Sequence, residues 1–393
     1  MSDDRRSSLR GSVWPESSSR PIGSPIQPSV VYASESPDAL DAQYEGRAQG
    51  YTYAREGHPN ADVLAEQIDR LEGAEGGLIT SSGMSAVTAV MLGLLKAGDH
   101  VLGGDQLYGR SLRMMREELP RFGVATSLAD PTDAARFEAA LRPETKLILI
   151  EAVSNPTLRV ADVEGISRLA RDRGITLVVD NTFTTPRAFR PFEHGADVVI
   201  HSVTKLLAGH SDVTLGYVAA KDPDQRQAIY TTAVTTGLTP SPFDCWLAER
   251  GLFTFDMRYD RTEANARQLA DHLAGLEGVK RVLYPTRPDH PDHNRATALL
   301  QGRGANMVSF EIGGGREAAN RLVKAMPEIA FAPTLGDIGT TISHPASSSH
   351  RALTPEQRAD LGMSEGFFRV SVGVEPVEDL TGSFTRGVQA ALS

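Results

Sequence analysis

Cysteine is almost missing from this sequence: Cys245 stands alone among 393 residues, so no disulfide can close within the chain. A reducing compartment fits that scarcity, and the cytoplasm is the expected location. Long apolar runs are missing too, and no stretch approaches the roughly 20 residues that a membrane span needs. The N-terminal segment Met1 to Pro28 is polar, rich in Ser, Arg and Pro, and lacks the apolar centre of a signal peptide. Up to about residue 27 it reads as disordered or arm-like. Basic runs are absent, and the formal net charge is −10. This weighs against nucleic acid and against membrane surfaces as partners. An anionic ligand must then rely on local donors rather than on the overall field. Metal-binding spacings are lacking as well. His290, His293, His344 and His350 form neither HExxH nor a Cys/His pattern, so no metal is expected.

What the chain does have is a regular alternation of short apolar strands with helical stretches. Strands are expected at 77–80, 100–103, 146–150, 175–179, 197–200 and 214–219, with helices over 62–71, 83–95, 112–118, 134–141 and 163–173. Such alternation implies a mostly parallel sheet covered on both faces, and near-continuous apolar strands agree with it. A long helix over 254–276 comes next, able to bridge two domains. A smaller α+β part then follows, with strands at 279–284, 307–312 and 367–374 and a helix at 318–326. The expected architecture is α/β: an arm (1–55), a large domain (56–250) and a smaller C-terminal domain (251–393).

Lys205 carries the strongest chemical signal. An apolar strand, Val198 to Ile200, runs into His-Ser-Val-Thr-Lys205 and then a Gly/Ser turn. A lysine there should point to solvent unless its amine is used. Desolvation lowers an amine pKa toward neutrality, which suits a Schiff base with an aldehyde cofactor or carbonyl substrate. Ser202 and Thr204 offer hydroxyls for a phosphate beside it. Upstream, Asp180 closes the preceding strand at its carboxyl end, where open α/β sheets place ligands. An aspartate can pair there with a protonated pyridine nitrogen, or merely cap the turn. Ser82-Gly83-Met84 opens a helix whose free N–H groups suit an anion, though ordinary capped helices share that look. Gly313-Gly-Gly-Arg-Glu-Ala318 imitates a dinucleotide fingerprint, but it lies late and outside a βαβ unit.

Together these residues resemble the Cys/Met-metabolism, or trans-sulfuration, family of pyridoxal phosphate enzymes. It includes cystathionine γ-synthases, cystathionine lyases, methionine γ-lyases and O-acylhomoserine sulfhydrylases. The resemblance runs from Pro28 to Leu392. Its blocks include Tyr53-Ala-Arg55-Glu-Gly-His-Pro-Asn, Ser82-Gly-Met84, Leu107-Tyr108-Gly109, Glu151-Ala-Val-Ser-Asn155-Pro156, Asp180-Asn-Thr182, Ser202-Val-Thr-Lys205, His344-Pro-Ala-Ser-Ser-Ser-His350 and Arg369-Val-Ser-Val-Gly-Val-Glu375.

The resemblance implies a type I pyridoxal phosphate fold, similar to aspartate aminotransferase, with the cofactor in the large domain. It implies that Lys205 binds the cofactor and shuttles protons, while Tyr108 stacks on its ring and assists as acid or base. Asp180 would meet the ring nitrogen. Ser82, Gly83, Met84, Ser202 and Thr204 would hold the phosphate end, joined by Tyr53 and Arg55 of a neighbouring subunit. Homodimers pairing into homotetramers, with shared active sites, follow from that. Arg369 would clamp the substrate carboxylate, with Asn155 donating nearby and Thr334 lining the substrate side. The implied activity is γ-elimination or γ-replacement on sulfur-containing or O-activated homoserine amino acids. The alternatives are β-elimination of the cystathionine β-lyase type, transamination, and a pyridoxal phosphate-binding protein without turnover.

Two departures bear on the substrate. Thr334-Leu-Gly-Asp-Ile-Gly339 puts glycine where cystathionine enzymes carry a glutamate for a distal amine. Arg110 follows Tyr-Gly where methionine lyases place a cysteine. An added guanidinium there points to a substrate with a second negative group, such as an O-succinyl ester.

Overall fold

The computed structural model describes residues 17–351 and 353–393. The first 16 residues of the expected arm lie outside the described residues. From Ser17 onward the arm has little regular structure before a short helix, Pro37–Tyr44. It is nonetheless anchored. The Trp246 indole donates to Ser24 O at 2.9 Å, and Asn60 ties down both Gln27 N and Pro25 O. Residues 24–27 are therefore docked on the helices Pro59–Glu72 and Pro242–Leu252, which favours the arm over disorder.

Seven strands form the larger sheet: β1 (Leu78–Thr80), β2 (His100–Gly104), β3 (Ala125–Ala129), β4 (Thr145–Glu151), β5 (Thr176–Asp180), β6 (Val198–Ser202) and β7 (Gly216–Ala220). Their order is β1-β7-β6-β5-β4-β2-β3, and all except β7 run the same way. Alternate residues face opposite layers. Val178, Val198 and Ile200 pack with Val87, Val90 and Ile229 of the helices Gly83–Leu94 and Pro223–Thr236. Leu177, Val179 and Val199 pack instead with Leu64, Ile68 and Ile166, from Pro59–Glu72 and Val163–Arg173. Burial on both faces is why these strands are apolar throughout.

The smaller sheet has the order β10-β11-β12-β9-β8, from β8 (Val279–Leu283), β9 (Met307–Ile312), β10 (Ala330–Phe331), β11 (Thr341–Ser343) and β12 (Phe367–Ser371). Phe310 of β9 stacks on Phe368 of β12 at 5.5 Å between centroids and meets Phe384 edge-on. Each such buried ring contributes about 1.5–3 kcal/mol; Phe310→Ala would cost roughly 3–5 kcal/mol. The long helix Phe255–Ala274 serves both cores. Phe255 and Tyr259 belong to the first, and Ala266, Leu269 and Leu273 to the second. The expected boundary at 250/251 falls inside the helix Pro242–Leu252 rather than in a linker. Among the described residues no helix is long and apolar enough to cross a membrane.

Candidate active site

Parallel strands β4, β5 and β6 end at one edge of the sheet, with Glu151, Asp180 and Ser202 as their last residues. Above that edge lies a cavity of about 260 Å³. Its walls unite nearly all the residues singled out in the sequence: Ser82, Gly83, Met84, Tyr108, Asn155, Asp180, Ser202, Thr204, Lys205, Thr334 and Arg369.

Lys205 is held by the turn that follows β6. Its N–H donates to Ser202 O at 3.1 Å, and its carbonyl accepts Gly209 N–H at 2.8 Å. The Arg258 guanidinium braces the next two residues, donating to Leu206 O and Leu207 O at 2.7 and 2.9 Å. From the other side the 334–340 loop presses on the same backbone. Gly336 has φ +81, and a Cβ there would lie 2.4 Å from Leu206 N, so glycine is required. Burial, and then the charge of Arg369, lower the Lys205 amine pKa below its usual value. The amine is thereby moved toward its nucleophilic, neutral form.

The end of the cavity expected to take a phosphate is backbone as much as side chain. Ser82 caps the helix Gly83–Leu94, its hydroxyl accepting Ser85 N–H at 3.0 Å. The first N–H groups of that helix, on Gly83 and Met84, have no intrahelical acceptor. A Cβ on Gly83 would come 2.7 Å from Ser202 Cβ, so only glycine lets the helix start lie this close to β6. A phosphate fits this cradle. Thr204 serves it less directly than expected: its hydroxyl donates to Leu215 O and accepts Leu215 N–H.

Asp180 faces the same cavity with Oδ1 accepting Thr182 N–H at 3.0 Å. Burial raises its pKa, while Thr182 and the nearby His201 oppose that rise. A protonated pyridine nitrogen would supply the missing counter-charge. On the substrate side Arg369 of β12 donates to Asn155 Oδ1 at 2.8 Å and to Thr334 O at 2.7 Å. Its Nε is buried without a hydrogen-bond partner among the described residues. Burial brings its pKa down to about 10, with Tyr108 opposing. An unpartnered donor on a guanidinium held in place invites a carboxylate. Amine, anion cradle, half-buried aspartate and unspent guanidinium together fit an aldehyde-bearing phosphorylated pyridine and an amino acid.

Three expected residues lie elsewhere in the chain. Arg110 lines an adjoining outer cavity of about 620 Å³, which shares Tyr108, Asn155, Pro333 and Arg369 with the inner one. Arg113, Arg116 and Arg351 line it too. Tyr53 and Arg55 do not reach their own chain's cavity. Arg55 lies 5.4 Å over the Tyr53 ring and donates to Val234 O, beside a separate groove. Sequence reasoning missed Glu151 and Thr182, which both line the inner cavity. Thr182 Oγ1 accepts Ser202 N–H at 2.7 Å, joining the ends of β5 and β6. Its signal was available: Thr182 follows the strand end by only two residues, as Lys205 follows its own strand by three.

Comparison with known proteins bears on this site directly. The profile described as "Cys/Met metabolism PLP-dependent enzyme" matches residues 11–389. An L-methionine γ-lyase of Porphyromonas gingivalis is 36% identical over 94% of this chain and 93% of its own length. An O-succinylhomoserine sulfhydrylase of Pseudomonas aeruginosa is 39% identical over 89% and 86%. Among solved structures, a cystathionine γ-synthase of Xanthomonas oryzae pv. oryzae, in complex with aminoacrylate and cysteine, superposes with TM-score 0.89. That pair is 37% identical over 94% of both chains. The fold is thus the type I pyridoxal phosphate fold, and the chain belongs to the family of PLP-dependent enzymes of cysteine and methionine metabolism.

Proposed function

We propose that this enzyme acts at the γ-carbon of O-activated homoserine or sulfur-containing amino acids, eliminating or replacing the γ-substituent. The observation that carries this reading is the arginine-lined outer cavity that adjoins the inner one and shares Tyr108, Asn155, Pro333 and Arg369 with it. A substrate whose α-carboxylate rests on Arg369 has room there for a long distal chain. The names of the relatives, γ-lyase, γ-synthase and sulfhydrylase, support it.

Pyridoxal phosphate, when bound, supplies the electron sink that acidifies Cα–H and Cβ–H. The chain's residues do the rest. Ser82, Gly83, Met84 and Ser202 would hold its phosphate, and Asp180 would meet its ring nitrogen. Arg369 and Asn155 orient the substrate so that Lys205 Nζ, whose pKa burial lowers, accepts the Cα proton. Loss of a second proton from Cβ lets the γ-substituent depart. A thiol then takes its place, or water leads to 2-oxobutanoate and ammonia.

Arg110 gives the reading its finer form, a distal carboxylate as in an O-succinyl ester. We assign residues 56–250 as the cofactor domain and 251–393 as the domain that brings Arg369, joined by the helix Phe255–Ala274. Tyr53 and Arg55 complete a partner's site in a homodimer, two of which pair into a tetramer, in the cytoplasm.

The test is incubation with cystathionine, methionine, cysteine, O-acetylhomoserine and O-succinylhomoserine, each with and without thiol, with products identified by mass. The expected products are 2-oxobutanoate and thiol-replacement products, with Arg110→Ala raising KM for the succinyl ester alone. Pyruvate as the sole keto acid would assign β-elimination instead.

A further inference from the structure

Glu151 is absent from the roles above, yet it occupies the floor of the cavity. It ends β4 in register with Asp180, the last residue of parallel neighbour β5. Adjacent strands lie about 4.8 Å apart, and paired positions send their side chains to the same face. The two carboxyls therefore stand side by side, each half-buried and facing the cavity. Carboxyls on paired positions of adjacent strands raise one another's pKa, and the one with fewer donors keeps its proton to the higher pH.

The surroundings decide which. Asp180 receives Thr182 N–H and lies near the His201 ring, which is itself paired with Glu72 beneath the sheet edge. Glu151 receives only Tyr108 N–H, at 2.6 Å, among the described residues. Its pKa lies well above the ordinary carboxyl range, through burial and then through the charge of Asp180. The other charged or titratable groups lining this cavity are Lys205, Arg369 and Tyr108.

Resting on the assignment of this cavity to the cofactor, we propose that Glu151 is a neutral, protonated acid in the working enzyme. It is a positioning residue: its carbonyl oxygen holds the Tyr108 backbone at the cavity, and its neutrality leaves Asp180 as the single carboxylate charge that would meet the ring nitrogen. A glutamate at this place keeps the carbonyl acceptor that the Tyr108 loop needs. As a neutral acid it adds no second charge to compete for the ring nitrogen.

Neutrality makes a sharp distinction between variants. Glu151→Gln keeps shape, acceptor and charge state, whereas Glu151→Leu removes the acceptor. The readouts are cofactor affinity of the apoprotein, the pH midpoint of the bound cofactor's absorbance, and kcat/KM. For Glu151→Gln all three should stay close to the parent, within about threefold and a few tenths of a pH unit. Glu151→Leu should weaken cofactor binding and kcat/KM by roughly tenfold or more, since Tyr108 N–H is left unsatisfied.

A midpoint moved by about one unit in Glu151→Gln would show an ionised Glu151 and overturn the proposal. So would a Glu151→Leu enzyme that behaves like the parent. Should Glu151→Leu not fold, infrared difference spectra of the parent and Glu151→Gln decide. A protonated-carboxyl band present in the first and lost in the second supports the assignment; its absence from the parent ends it. Failure of borohydride to fix the cofactor on Lys205 would instead remove the underlying site assignment, independently of Glu151.

Discussion

Arg369 enters the cavity from the middle of an alternating strand, where an unpaired charge costs several kcal/mol. Two of its donors are used within the protein, on Asn155 and Thr334, and Nε is not. Arg369→Lys keeps the charge but cannot hold both anchors and a planar carboxylate at once. The expected result is a kcat/KM lowered about a hundredfold, about 3 kcal/mol, chiefly through KM, with cofactor absorbance intact. Steady-state kinetics check it, and an unchanged KM would remove Arg369 from carboxylate binding. Arg369 was legible because a charge inside an alternating strand has to be explained. Lys205 was legible for a similar reason, since it follows an apolar run, and Asp180, which could equally have capped a turn, became legible through Lys205 after the next strand. Glu151 was not, because an acid closing such a run reads equally well as a solvated strand end. Only the register with Asp180 sets two carboxyls together, and register is not written in either segment alone.

The helix Gly83–Leu94 is placed by one missing side chain. A methyl at Gly83 would lie 2.7 Å from Ser202 Cβ and 3.0 Å from its Cα, which is backbone and cannot rotate away. Gly83→Ala therefore pushes the helix start off the end of β6. We expect cofactor affinity to fall roughly tenfold or more, in line with about 1–3 kcal/mol of overpacking. Titration of apoprotein with cofactor measures it; unchanged affinity would mean that the cradle does not bind phosphate.

At the opposite end of the sheet, the His100 imidazole is fully buried and shares a hydrogen bond of 2.8 Å with Thr145 Oγ1. Burial, then the charge of Arg142, hold its pKa down to about 4. Between the unfolded value, about 6.5, and about 4, the unfolded chain binds a proton that the folded one refuses. Stability contributed by the neutral ring is thus lost as pH falls across that window. His100→Gln should show a smaller drop in Tm than the parent between about pH 7 and pH 5, measured on apoprotein. An equal drop would place the acid sensitivity elsewhere.

The strands that surround His100 show what periodicity can and cannot read. Those buried on both faces were found within a residue or two, but β3 (Ala-Thr-Ser-Leu-Ala) was missed. It is an edge strand, only half covered, so it never had to be apolar. The helices Pro223–Thr236 and Pro242–Leu252 were missed despite clear starts, Asp222-Pro and Ser241-Pro, whose caps are in place. Expectation also had one helix at 112–118. There, an α-turn from Gly109 to Arg113 passes into a π-turn over Met114–Glu118.

At the scale of the whole molecule, the site is short of a cation. A phosphate held in the cradle proposed above would meet helix N–H groups and hydroxyls, and among the described residues no arginine lines that end. Arg55, with Tyr53 beneath it, faces outward, and Val30, Val31, Tyr53 and Phe243 are exposed beside the arm and the helix Pro242–Leu252. Apolar surface of this kind is normally covered by association. If Arg55 serves a neighbour, two inactive variants should rescue one another. In a mixed dimer of Lys205→Ala and Arg55→Ala, one site draws Lys205 from the second subunit and Arg55 from the first, and is intact. The other site carries both lesions. Refolding or subunit exchange of the two variants together should therefore restore part of the parent activity, while each alone stays low. If Arg55 acted within its own chain, every site in the mixture would keep one lesion, and no activity would return.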